Sequence, residues 1–167
     1  MLKFENVKSQ VFILFFCISL VLMLRISIES TGYLTTDSVF YLRAADNQLA
    51  GKGVVSPQVY PFTEESEETF FSMWPIGYPL LITVMSKLSG LSTFLSSKVI
   101  NLLFLALIFK LVYHWYGAKS LLPLLYFCSY GKLEVYSHTW SEGAFLFVII
   151  WMLYLFEKII SNKAILL

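Results

Sequence analysis

The sequence predicts an all-α polytopic membrane protein, and two observations carry that prediction. The first is composition: 57% of the 167 residues are hydrophobic and 14% are charged, against about 25% charged in an ordinary soluble domain. Mean hydropathy is +0.71. The second is arrangement. Apolar residues gather into long runs at 11–28, 95–116, 119–134 and 142–160, near the ~20 residues that span a hydrocarbon core. A single membrane domain over 1–167 with four spans follows. A net charge of +1 and the absence of a dense basic stripe give no case for nucleic-acid binding. The two cysteines, Cys17 and Cys128, both lie in apolar runs, so neither a disulfide framework nor a metal site is indicated.

The first span, 11–28, follows a short segment bearing Lys3 and Lys8. A basic start followed by an apolar run also describes a secretory signal. However, the run is long, and Arg25-Ile26-Ser27-Ile28-Glu29 has no small-x-small cleavage pattern. An uncleaved span with a cytoplasmic N-terminus is expected from the bias of positive charge to the inside.

Residues 29–92 are expected to form a long extracytoplasmic loop. As far as Glu68, Arg43 and Lys52 stand there against Glu29, Asp37, Asp46, Glu64, Glu65, Glu67 and Glu68. A short amphipathic helix is expected over 37–50, capped by Thr36 or Asp37, with Leu42, Ala45 and Leu49 on one face and Gly51 and Gly53 ending it. The run Thr63-Glu64-Glu65-Ser66-Glu67-Glu68 reads as a solvated loop, since nothing in its spacing fixes cation-ligand geometry. Trp74-Pro75-Ile76-Gly77-Tyr78-Pro79 then suits a chain entering a membrane interface at a fixed angle. The apolar stretch after it is short, so an interfacial or re-entrant helix is expected over 78–90.

The remaining chain supplies a second span at 95–116, a third at 119–134 and a fourth at 142–160. Between the last two, Lys132, Glu134, His138 and Glu142 fall close together. No internal repeat is present to suggest a transporter.

Three features occur in a particular order: Asp37-Ser38-x-x-Tyr41-Leu42-x-x-Ala45 closing in Gly51-x-Gly53, then Trp74-Pro75-Ile76-Gly77-Tyr78-Pro79-Leu80-Leu81, then Ser141-Glu142 opening a span. This order resembles the N-terminal part of GT-C membrane glycosyltransferases, the superfamily of protein O-mannosyltransferases and lipid A aminoarabinose transferases. It looks closest to the bacterial mannosyltransferase-like branch with a Trp-Pro-Pro-Gly-Tyr-Pro motif, in which Ile76 here replaces the second proline.

The resemblance implies transfer of a sugar from a polyprenyl-phosphate donor to an acceptor at the outer face of the cytoplasmic (inner) membrane. It implies Asp37 and Glu142 as catalytic carboxylates supplied by successive outer loops, with a divalent cation as an optional participant. Arg43, Tyr41, Trp74, Tyr78, Lys132 and His138 are the expected substrate-binding residues, the cations among them suited to a phosphate. Membrane lipid and further membrane helices are the other expected partners. Members of the superfamily are several times longer, so the chain is expected to be a fragment of a longer enzyme. The alternative is a truncated, non-catalytic membrane subunit that associates with other helices.

Overall fold

The computed structural model describes residues 4–59, 66–72 and 74–164. Among the described residues the chain is mostly helical, and three segments there are long and apolar enough to cross a membrane: Val7–Ile28, Thr93–Lys119 and Glu142–Ser161. The helices that contain them are α1 (Phe4–Ile28), α4 (Thr93–Tyr116) and α7 (Glu142–Ala164). At about 1.5 Å per residue each exceeds 30 Å, the thickness of a bilayer core.

The stretch between α1 and α4 folds beside the end of the bundle. It holds α2 (Thr36–Leu49), an antiparallel hairpin of β1 (Val55–Val59) and β2 (Ser66–Phe70), and α3 (Gly77–Ser89). The hairpin was not expected. It takes up the end of the glutamate run, with Glu67 and Glu68 standing in β2 opposite Gln58 and Pro57, while Thr63, Glu64 and Glu65 lie outside the described residues. A run of like charges reads as a loop because it has no apolar face, but the backbone ladder needs none.

Helix α2 differs in its first turn. The cap is Thr35, whose Oγ1 accepts from the Ser38 amide at 3.3 Å. Asp37 is therefore inside the helix and does not cap it. The buried face is Ser38, Tyr41, Ala44 and Ala45, so Tyr41 replaces the expected Leu42 as its anchor. Helix α3, 13 residues or about 20 Å, is too short to cross a bilayer core and ends at Gly90, φ +70.

Packing gives the directions of the long helices. Phe15 of α1 meets Phe109 of α4 at 5.6 Å, and Leu22 and Ile26 face Leu95, Val99 and Leu102 across a groove. One number rises as the other falls, so α1 and α4 are antiparallel. Phe104 of α4 meets Phe147 of α7 at 5.7 Å, and His114 meets Tyr154 at 5.8 Å. Both numbers rise together, so α4 and α7 are parallel.

The intervening residues 117–141 must therefore run back along the length of α4, but they do so in pieces. The expected third span, 119–134, is not one helix. Instead there is a 3-10 turn at Gly117–Lys119, α5 (Leu121–Leu125), a second 3-10 turn at Tyr126–Cys128, and α6 (Tyr130–Ser137). Helix α5 runs through Pro123, whose missing amide is tolerated in a first turn, and gives way to the second 3-10 turn at Tyr126. Ser129, with ψ 146, is extended and breaks the path again. Apolar composition alone had suggested continuity, and it is blind to both breaks.

Two cores result. One joins α1, α4, α5 and α6 through Val11, Ile18, Leu22, Leu105, Ile108 and Phe127. The other joins α2, α3 and α4 through Tyr41, Ala44, Ala45, Phe71, Tyr78, Ile82 and Ile100.

Candidate functional site

The second core is rich in aromatic residues and stands at one end of an open groove. The Tyr41 and Tyr78 rings meet edge to face at 5.1 Å, and Phe71 packs on Tyr41 at 5.6 Å. Trp74 stacks on Phe40 at 5.6 Å and on Phe71 at 6.2 Å. Such ring pairs each contribute about 0.5–1.5 kcal/mol beyond simple burial. They lock α2 against the segment leading into α3.

Next to this aromatic box lies a groove of about 510 Å³ between α3, α4 and α7. Pro75, Gly77, Tyr78 and Leu81 form one wall, and Ser141, Glu142, Ala144, Phe145 and Val148 the other, with Phe104 of α4 also lining it. Two stretches sixty positions apart in sequence thus face each other. Tyr41 joins from the third, its hydroxyl 3.0 Å from Ser141 Oγ.

The hydrogen bonding gives this groove a polarity. Asn101, buried on α4, donates through Nδ2 to the carbonyls of His138 at 2.6 Å and Tyr136 at 3.4 Å. Two carbonyl neighbours fix the amide's orientation, so Oδ1 is the atom left for Tyr78. The Tyr78 hydroxyl donates to it at 2.8 Å. With its proton committed, Tyr78 keeps only acceptor capacity. Glu142, on the groove wall, is an acceptor as a carboxylate. Among the residues lining the groove there is no cation. A ligand rich in hydroxyl donors suits such a surface, whose lining itself supplies no cation for a phosphate.

The tyrosines feel the same environment. Burial pushes the Tyr41 pKa up, and the negative charges of Glu142 and Asp37 act in the same direction, partly opposed by the Ser141 hydrogen bond. Burial likewise pushes Tyr78 far up, with Tyr41 and Glu142 adding to it. Both phenols stay neutral at any physiological pH. Asp37 lies one helical turn before Tyr41, at the edge of the box rather than on the groove wall.

Other expected binding residues are not brought here. Arg43 is exposed on α2, about 200° around the helix from Tyr41 at 100° per residue. Asp46, on the same helix, accepts from Thr93 Oγ1 at 2.9 Å, and Asn47 donates to the Val55 carbonyl at 3.0 Å. Lys132 sits over the Tyr126 ring at 5.2 Å. His138 is committed to structure: Nδ1 donates to the Tyr33 carbonyl at 2.8 Å, Nε2 lies 3.2 Å from Glu134, and the ring stacks on Trp140 at 4.3 Å. Tyr33 is left-handed at φ 58. Before it, Gly32 (φ +60) leaves room for Phe94, which an added Cβ would meet at 2.8 Å. Among the described residues, no three His, Cys, Asp or Glu side chains gather to hold a metal ion.

Two buried polar residues escaped the sequence reading: Asn101 and Lys98, exposed by 2% and 6%. The available signal was two polar residues one turn apart near the start of an otherwise apolar run, which mark a functional or packing role in a membrane-crossing helix. No protein-family model, curated protein or solved structure matches this chain.

Proposed function

We propose that the chain is a multi-pass membrane protein of the cytoplasmic membrane whose groove beside Glu142 serves glycosyl transfer from a polyprenyl-phosphate sugar. The observation that supports this is the convergence of Tyr41, Tyr78 and Ser141-Glu142 on one groove with apolar walls. In this arrangement Glu142 takes the proton of the acceptor hydroxyl as its oxygen bonds to the anomeric carbon, the bond from that carbon to the phosphate oxygen breaks, and polyprenyl phosphate leaves with the negative charge. The Tyr78 oxygen accepts a hydrogen bond from a second hydroxyl. The walls at Leu81, Phe104, Phe145 and Val148 take an apolar chain. Asp37, one turn from Tyr41, is the second carboxylate.

The segmented return of 117–141 puts Asp37 and Glu142 at the same end of the helices. With the N-terminus inside, that end is outside the cell. Lys119 and Lys158 then fall inside, in keeping with the positive-inside bias.

A second reading has one observation behind it: almost none of the apolar side chains of α7 are buried. That suits a non-catalytic subunit whose last helix packs on other helices. One experiment separates the two. Membranes carrying the chain are given a labelled polyprenyl-phosphate sugar with a photoreactive group in its chain. Labelling within 75–81 and 141–148, together with sugar transfer above that of membranes lacking the chain, is the expected result. Absence of both sinks the enzymatic reading and leaves the subunit.

A further inference from the structure

Independently of the glycosyl-transfer reading, we infer that a second groove, between α1 and the start of α4, binds an anionic lipid whose head group pairs with Lys98.

Lys98 is buried, and two of its three N–H groups are used: Nζ donates to the Ser137 carbonyl at 2.7 Å and to Thr139 Oγ1 at 3.2 Å. Neither acceptor carries charge. Phe94 lies under the ammonium at 4.9 Å. The nearby carboxylate, Glu134, is held by Arg25 and His138. Arg25 also reaches Ser137, donating from Nε to its Oγ at 3.2 Å. Two cations thus converge on Ser137 against one acid, and the third N–H of Lys98 has no acceptor among the described residues. A buried ammonium without a counter-charge is costly. Where such groups persist at membrane depth they mark ligand sites.

What this side chain borders decides the ligand. Lys98 lines a groove of about 280 Å³ whose other walls include Leu22, Ile26, Leu95, Val99 and Leu102. Lys98 stands in the second turn of α4, ahead of most of that helix's apolar length, where head groups meet hydrocarbon. Leu22 and Leu102 lie deeper, placed for an acyl chain. At the rim, Met23 and Leu95 are 58% and 47% exposed, so the groove opens sideways toward lipid once α1 and α4 cross a membrane. A charged head on an apolar tail complements both parts of this surface. The charged residue here, Lys98, is opposite in sign to Glu142 in the other groove.

The test uses the full chain in detergent, with equal amounts of phosphatidylglycerol and phosphatidylcholine of the same acyl chains, read by native mass spectrometry. One phosphatidylglycerol should be retained with about tenfold preference, the scale of a charge-assisted hydrogen bond. Lys98→Met, similar in length and apolar, should abolish the preference, while Lys98→Arg keeps it. Lys87→Met, at the exposed end of α3, should leave it unchanged. Should Lys98→Met fail to fold, Val99→Trp, which fills the groove and spares the ammonium, must by itself remove retention. Equal retention of both lipids, a preference that survives Lys98→Met or Val99→Trp, or displacement by inorganic phosphate alone would each overturn the inference.

Discussion

Between α1 and α6, Arg25 serves Glu134 and Ser137 and lies over the Tyr33 and Tyr130 rings, while His138 joins Glu134 to the Tyr33 backbone. Between α2, α3 and α7, Glu142 and Asp37 are not ion-paired among the described residues, and one of them borders open space. Both corners belong to the same end of the helices and both contain a glutamate. The difference lies in what each carboxylate has to do in the folded chain. Glu134 is consumed in stapling three segments together. Glu142 is held in place by its neighbours, because Ser141 is bonded to Tyr41 and Gly143 is pressed against the Tyr136 ring, where a Cβ would come within 3.0 Å. A carboxylate positioned by others and used by none is available for chemistry.

The largest expected effects break this comparison if it is wrong. Glu142→Gln should lower sugar transfer by about 10²-fold or more, the scale for losing a positioned base. Its stability should stay within about 0.5 kcal/mol of the parent, as for a surface change. Glu134→Gln should do the reverse. Losing charge-assisted bonds to Arg25 and His138 costs about 2 kcal/mol, while the transfer rate per folded molecule holds. Unfolding in mixed micelles and initial transfer rates measure the two quantities. If the phenotypes are exchanged, the roles assigned to the corners are exchanged with them.

A smaller effect sharpens the comparison through pH. Tyr41 and Tyr78 have pKa values raised by folding, so the sign follows from proton counts. Below about pH 10, the usual tyrosine value, both states are neutral and the contribution is fully present. Above it the unfolded chain loses these protons first, so it binds fewer than the folded chain and stability falls as pH rises. Each such tyrosine contributes a slope of about 1.4 kcal/mol per pH unit there. Tyr41→Phe and Tyr78→Phe should each flatten the alkaline limb of the stability profile relative to the parent, whatever their cost at neutral pH. An unchanged slope would mean that neither hydroxyl is enclosed as described.

How much of this was legible beforehand depended on the kind of signal. The runs at 11–28 and 142–160 announce long helices because a long apolar run needs no partner to be recognised. The run at 119–134 misleads for the same reason: the 3-10 turn at Tyr126–Cys128 and the extended Ser129 break the helix by backbone geometry, which hydropathy does not record. The hairpin was hidden because Glu67 and Glu68 suggest solvent, whereas its pairing is made by main-chain groups. Within the site, the motif order drew attention to Tyr41, Tyr78 and Glu142. It said nothing of Asn101, whose importance rests on two carbonyls of a segment some 35 residues later in the chain. The attraction of basic residues to a phosphate singled out Arg43, Lys132 and His138. Sequence distance concealed that His138 is spent on Tyr33, a contact 105 positions away.

The smallest effects concern the start of α2, where Thr35 and Asp37 divide two roles that one residue was expected to share. Thr35 caps the helix through Ser38, and its Oγ1 also accepts from Trp140 Nε1 at 2.9 Å. It therefore ties α2 to the segment just before Glu142. Thr35→Ala should cost about 1 kcal/mol, the ordinary worth of a cap, with somewhat more from the stranded indole N–H. Thr35→Ser retains an oxygen for both bonds and should recover most of that loss. Asp37 is in the first turn, where a negative charge gains from the helix dipole, typically 0.3–1 kcal/mol at an exposed site by a rough scale. Asp37→Asn forfeits only this, so the change in unfolding free energy should be a few tenths of a kcal/mol. The measurement is unfolding of Thr35→Ala, Thr35→Ser and Asp37→Asn side by side, with transfer rate read on the same samples. Because Asp37 is not the cap, a large fall in transfer by Asp37→Asn at nearly unchanged stability would mark its carboxylate as part of the groove's chemistry. If Asp37→Asn is instead as destabilised as Thr35→Ala and transfers normally, Asp37 is an element of the helix start and Glu142 stands alone.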